Sequence, residues 1–96
     1  MIISFGDKRT EDLFHGRLSA KRRSFPENLQ NVSLRKLDIL NAASSLLELS
    51  SPPSNRLELL KGELRGRYSI RINDQWRLVF RFESSNAYDV EITDYH

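Results

Sequence analysis

Asp94, Tyr95 and His96 follow one another at the end of an alternating segment, and the stretch before that segment is rich in arginine. If that segment is a strand, it holds a carboxylate, a phenol and an imidazole at one edge of a sheet. Residues 56–81 carry Arg56, Lys61, Arg65, Arg67, Arg71, Arg77 and Arg81 against only Glu58, Glu63 and Asp74. Proton-transfer groups beside clustered guanidiniums fit cleavage of a phosphodiester in RNA. That reaction asks for a base at the 2′-oxygen, an acid at the 5′-oxygen, and positive charge on the phosphoryl oxygens as the transition state forms.

The elements that must position these groups are legible in the pattern. Residues 1–5 are apolar and partly β-branched, and read as a short opening strand. Asp7 is placed to cap a helix of about two turns that carries Leu13 and Phe14 and ends at Gly16. His15 then sits at the helix C-terminus, where the dipole favours a partly positive ring. Lys21, Arg22 and Arg23 read as a connector, and Pro26 as the first residue of a second helix. Leu29, Val32, Leu37, Leu40, Ala43 and Leu47 recur at threes and fours, which predicts one helix with a buried face, or two shorter helices broken near Asn41. Residues 50–55, with Pro52 and Pro53, form a linker that cannot continue a helix.

Beyond the linker the period changes from about 3.6 to 2. A short apolar piece at 56–60 leads into a turn at Lys61-Gly62. Tyr68, Ile70 and Ile72, then Trp76, Leu78, Phe80 and Phe82, then Tyr88, Val90 and Ile92 alternate with polar residues. Turns at 73–75 and 84–86 join these runs into an antiparallel meander. The expected fold is α+β: a small, twisted, mainly antiparallel sheet with two N-terminal helices packed on one face. Trp76 and Tyr68 belong to the covered face. The open face carries Arg67, Arg71, Arg77 and Arg81, balanced partly by Asp89 and Glu91. Arg71 and Arg77 flank one turn and should approach each other, so an anion is wanted between them. A carboxylate from Asp89 or Glu91 would serve Arg77, but carboxylates are too few for all the arginines. Strict alternation puts Tyr95 on the arginine face and Asp94 and His96 on the other, while a twist, bulge or frayed end would bring His96 round to the rim.

Composition bounds the function classes. Ninety-six residues correspond to one domain spanning 1–96. The absence of cysteine removes disulfides and thiolate metal sites, and with no signal peptide the expected location is a reducing cytoplasm. His15 and His96 are the only histidines, a poor basis for a metal site, so neither metal nor cofactor is expected. No apolar run exceeds three residues, which leaves no transmembrane span and no membrane partner. The net charge is +2, but residues 56–81 sum to +4 and residues 82–96 to −4. A basic strip of this kind steers an anionic partner; read blandly, it only solubilises an exposed strand face.

The order Asn55-Arg56-Leu57, Leu60-Lys61-Gly62, Tyr68-Ser69-Ile70-Arg71-Ile72-Asn73, Gln75-Trp76-Arg77-Leu78 and Asp94-Tyr95-His96 resembles the HigB toxins of the RelE/ParE superfamily, over nearly the whole chain. The resemblance implies the toxin of a type II toxin–antitoxin pair that cleaves messenger RNA on the ribosome. It also implies a HigA-like helix-turn-helix antitoxin as partner, with operator DNA contacted only through that antitoxin. Carried over position by position, it implies catalytic roles for Lys61, Arg77, Asp94, Tyr95 and His96, and a basic role for Arg71. Arg67, Arg65 and Arg56 join Arg71 as RNA-binding candidates because they lie in the basic strip. Some family members carry His-Pro before the Leu-Lys-Gly element, where this chain has Glu58 and Leu59. Glu58 is a weak base at neutral pH and repels phosphate, so its plainer reading is a surface carboxylate paired with Arg56 or Lys61.

In the expected reaction Arg71, Arg77 and Lys61 stabilise the phosphate, and His96 serves as base or acid. Tyr95 stacks on a base, orients the phosphate or donates a proton, and Asp94 positions a neighbour. Two other readings use the same features: a ParE-like protein that inhibits DNA gyrase without chemistry, and a basic RNA-binding module without catalysis.

Overall fold

A computed structural model describes all residues of the chain except Leu18, Tyr95 and His96. The helices come first: α1 (Lys8–Phe14), α2 (Ala20–Arg23), α3 (Glu27–Ala42) and α4 (Leu46–Leu49). A 3-10 turn at Pro53–Asn55 leads into β1 (Glu58–Leu59), and a second at Gly62–Leu64 into β2 (Tyr68–Arg71), β3 (Trp76–Glu83) and β4 (Asn86–Asp94). The sheet is an antiparallel meander in the order β1-β2-β3-β4.

Capping explains where the helices start. Asp7 accepts from the Thr10 amide at the start of α1, and Gly16, at φ +72, follows its end. Lys21, Arg22 and Arg23 are not a connector: Ser19 caps them into the single turn of α2. Pro26 stands one residue ahead of α3 as its N-cap. The apolar period of 29–49 resolves into two helices, because Ser45 and Glu48 form a reciprocal capping box that starts α4 afresh.

One face of the sheet receives the helices. Leu13, Phe25, Leu29, Leu37, Leu40 and Leu49 are buried against Ile70, Ile72, Leu78, Phe80, Val90 and Ile92. Trp76 packs its edge on Phe25 and joins this core, as its parity predicts. Residues 1–5 lie along β4 in two isolated parallel bridges, Ile2 to Ala87 and Phe5 to Val90, rather than in a continuous strand. Between the bridges β4 bulges. Asp89 has φ +53, its amide is taken by Ser4 Oγ at 2.9 Å, and the register against β3 shifts between Val79 and Arg81. Further along, the Ile92 amide donates to Thr10 Oγ1 at 3.0 Å, so α1 anchors the last strand close to Asp94.

Two features have measurable consequences. Ser33 is fully buried on α3, and among the described residues its hydroxyl has no hydrogen-bond partner. Ser33→Ala removes that penalty and should stabilise the fold by about 1 kcal/mol, raising Tm by roughly 4–8 °C in thermal unfolding. Asp12 is 2% exposed. Its Oδ2 accepts from Ser19 at 2.7 Å, and its Oδ1, without a well-aligned hydrogen bond, is ion-paired with Lys8 at 3.0 Å. The bond from Ser19, then that from Lys8, hold its carboxyl below the usual range. A depressed carboxyl stabilises fully above its unfolded pKa of about 4, and that stability drains as pH falls through the folded value. Asp12→Asn should therefore flatten the loss of denaturation midpoint between about pH 6 and about pH 3.

Candidate functional site

The strand register sorts the open face into rows. Arg71 pairs with Arg77 and Arg77 with Thr93, so one row crosses three strands at the end of the sheet where β4 reaches Asp94. Glu58, Ser69, Val79 and Glu91 form the next row. Arg81 opposite Tyr88 lies beyond, with Arg67 one residue further along the same register. The arginines are thus not one continuous face: a row carrying Glu58 and Glu91 divides them.

The bulge at Asp89 also corrects an expectation. It turns Tyr88 away from the core and onto the arginine face, opposite Arg81, whose guanidinium carbon lies 5.2 Å from the ring centroid. Ala87 takes the core position instead. Arg81 Nε donates to Asp89 at 2.8 Å, and that bond is the main cause holding the Asp89 carboxyl below its usual range, with the fields of Arg81 and Arg67 adding to it.

Arg77 is 8% exposed, far more enclosed than an open strand face suggests. Its Nε donates to Ser69 Oγ at 2.7 Å and its Nη2 to the Arg56 carbonyl at 2.5 Å, while Glu58 Oε1 stands 3.9 Å from Nη2. Among the described residues the carboxylate paired with Arg77 is that of Glu58 on β1, rather than Asp89 or Glu91 on the last strand. Glu58 is correspondingly a neighbour of Arg77 rather than a partner of Arg56 or Lys61. Arg71 is half-buried and ion-paired with the fully exposed Asp74 across the β2–β3 turn. That turn is set by Asn73, whose Oδ1 accepts from the Gln75 and Trp76 amides.

The remaining predicted residues are more open. Lys61, Arg56 and Arg65 are exposed and Arg67 is half-buried; among the described residues none of the four has an ion pair within 4 Å. Asp94 is exposed beside Trp76, on the side that alternation predicts, and accepts from Gln75 Nε2 at 3.0 Å. Tyr95 and His96 lie outside the described residues.

Two residues that sequence reasoning passes over stand behind the cationic row. Lys36, on α3, donates to Asn55 Oδ1 at 2.5 Å. Burial first, then the fields of Arg35 and Arg71, hold its amino group below the usual lysine range. Asn55, inside the proline-rich linker, is wholly buried. A helical lysine and a linker asparagine both look like solvated polar residues, so no sequence signal marks them beyond the Asn-Arg-Leu element. A cavity of about 430 Å³ between α1 and α2, lined by Asp7, Lys8, Arg9, Ala20, Lys21 and Ser24, contains none of the site residues.

Comparison with known proteins places this arrangement. The Staphylococcus aureus YoeB-YefM complex contains a chain that matches with a TM-score of 0.55 at 18% identity, covering 100% of this chain and 98% of that one. A heterotetrameric YoeB-YefM toxin-antitoxin complex from the same organism matches at 0.54 and 20%. The α+β fold is thus shared with the matched chains of these complexes. A family model described as RelE-like toxin of type II toxin-antitoxin system HigB matches residues 3–96, and the chain belongs to that family. Toxin HigB-1 of Vibrio cholerae serotype O1 is 40% identical over 82 residues, covering 85% of this chain and 84% of that one. Endoribonuclease HigB of Proteus vulgaris is 33% identical over 61 residues, covering 64% and 65%.

The burial of Arg77 separates it from Arg71 experimentally. Arg77→Ala leaves Ser69 Oγ and the Arg56 carbonyl without their donor and should destabilise the fold by about 2 kcal/mol or more. Arg71→Ala loses one ion pair with an exposed partner and should change stability by less than about 1 kcal/mol. Urea unfolding of the two variants checks both.

Proposed function

We propose that this HigB-family toxin is a ribosome-dependent endoribonuclease of messenger RNA, acting in the cytoplasm as a single domain over residues 1–96. The observation that carries the reading is the row Arg71–Arg77–Thr93, which ends beside the last described residues of β4. A phosphate over this row meets two guanidiniums on a rigid sheet, next to the segment that continues into Tyr95 and His96. The endoribonuclease name of the Proteus vulgaris relative supports the same chemistry.

In the reaction the RNA 2′-hydroxyl attacks the adjacent phosphorus, and the 5′-oxygen leaves. The products are a 2′,3′-cyclic phosphate and a 5′-hydroxyl. His96 takes or delivers a proton, and Tyr95 orients the phosphate or stacks on a base, with Asp94 in a positioning role. Arg71, Arg77 and Lys61 stabilise charge on the phosphoryl oxygens, so no metal is required. Arg56, Arg65 and Arg67 extend the basic path along which the strand runs. A HigA-like helix-turn-helix antitoxin neutralises the toxin and brings it to operator DNA. The toxin–antitoxin complexes among the structural matches support an antitoxin partner.

Mapping the ends of cellular messages after brief induction tests the reading. Internal cuts in translated messages, absent with His96→Ala although that variant still captures antitoxin, are the expected result. Uncut messages with an induced DNA-damage response would replace this reading with the gyrase one. Uncut messages that remain bound would leave only the RNA-binding module. Glu58→Gln removes the carboxylate beside Arg77 and should raise the cleavage rate several-fold, on the order of 1 kcal/mol of relieved repulsion.

A further inference from the structure

We propose that Lys36 and Asn55 are a positioning pair that sets the Arg77 guanidinium for the reaction, acting through the carbonyl of Arg56. The inference rests on the ribonuclease reading for its catalytic consequence, though not for its geometry. Asn55 is wholly buried inside a segment whose composition marks it as a linker. Its Nδ2 donates to the Leu49 carbonyl at 3.2 Å and to the Ser51 carbonyl at 3.4 Å, and its amide donates to the Pro52 carbonyl at 3.0 Å. These bonds tie the 49–55 turn to itself. The side-chain oxygen has a different partner: Lys36 Nζ at 2.5 Å, which ties the turn to α3.

The next residue, Arg56, has left-handed backbone angles, φ 47 and ψ 56. A non-glycine residue there costs about 1 kcal/mol or more and persists only where its surroundings hold it. Its carbonyl is the acceptor for Arg77 Nη2 at 2.5 Å. Lys36, Asn55, the Arg56 carbonyl and Arg77 therefore form one chain of short contacts from the helix layer to the cationic row. Arg77 Nε is held by Ser69 Oγ at 2.7 Å. Of the contacts described for Nη2 the Arg56 carbonyl is the shortest, ahead of the Ser69 carbonyl at 3.4 Å and Glu58 at 3.9 Å, so a shift of that carbonyl turns the guanidinium about its anchor. Loss of the Lys36 donor leaves a buried carboxamide oxygen without its partner. The turn then relaxes, and the acceptor moves with it. Misplacement of a charge-stabilising group lowers the rate of the chemical step more than the binding of substrate.

The test compares Lys36→Met, which has no donor, with Lys36→Arg, which keeps one, and with Leu29→Ala as a destabilised core control remote from the row. Cleavage of a translated message is measured well below all melting temperatures. Lys36→Met should lower kcat about tenfold with KM within about twofold, Lys36→Arg should restore most of it, and Leu29→Ala should leave it near the parental value. In parallel, hydrogen exchange at the Arg77 Nε–H is followed by NMR, and should speed up about tenfold in Lys36→Met alone. An unchanged Arg77 exchange rate, or a kcat loss no larger than that of Leu29→Ala, overturns the proposal. If the parental protein cuts no RNA, the ribonuclease reading fails, while the exchange measurement still decides whether the pair positions Arg77.

Discussion

A guanidinium nearly closed off from water on the open side of a sheet must be surrounded by oxygen atoms, and that requirement organises this end of the molecule. Arg77 satisfies it with Ser69 on the neighbouring strand and with the Arg56 carbonyl from the preceding turn. The second acceptor is the carbonyl of Arg56, which takes a left-handed conformation directly after the buried Asn55. A turn that would otherwise be a solvated connection is thereby built into the site. The dependence runs from helix to turn to strand, so the helices do more than cover the sheet.

The same sheet divides its charges by register. Cations occupy the row beside Asp94 and the row at the far end, and Glu58 and Glu91 lie between them. At the far end Asp89 binds Arg81, and the bulge that aims this carboxylate also exposes Tyr88 beneath the guanidinium. Bulges re-aim side chains, and here one irregularity produces both contacts. The far row is consequently balanced in part by Asp89, while Arg56, Lys61, Arg65 and Arg67 stand outside any ion pair among the described residues.

Much of this was legible in the sequence because the governing forces are local or periodic. Alternation gave the three long strands and the adjacency of Arg71 and Arg77, since a tight turn fixes register. Capping residues gave the start of α1, and the period of 29–49 allowed the break that Ser45 and Glu48 impose. Tyr88 departs from strict alternation because a bulge inserts one residue, and nothing in Tyr88-Asp89-Val90 advertises a positive φ. Lys21 to Arg23 looked like a charged connector because a cap such as Ser19 is a weak signal before a single turn. Asn55, Lys36 and Glu58 found partners across long separations, 19 residues for the Lys36 bond, where neither period nor motif reaches.

The two arginines of the row hold their charge in different ways, and this suits them to different parts of a phosphate's approach. Arg71 carries an ion pair with a fully exposed carboxylate, a contact worth little and readily exchanged for phosphate in water. Arg77 is gripped by neutral oxygens of Ser69 and Arg56, which fix its direction, with the Glu58 carboxylate 3.9 Å from its Nη2. A mobile cation gathers an anion, and a fixed one acts on charge as it develops, because no reorganisation is needed at that moment. Glu58, 3.9 Å from Arg77, works against both by lowering the potential where the phosphate would sit. The row therefore carries opposing local charges, Asp74 against Arg71 and Glu58 against Arg77.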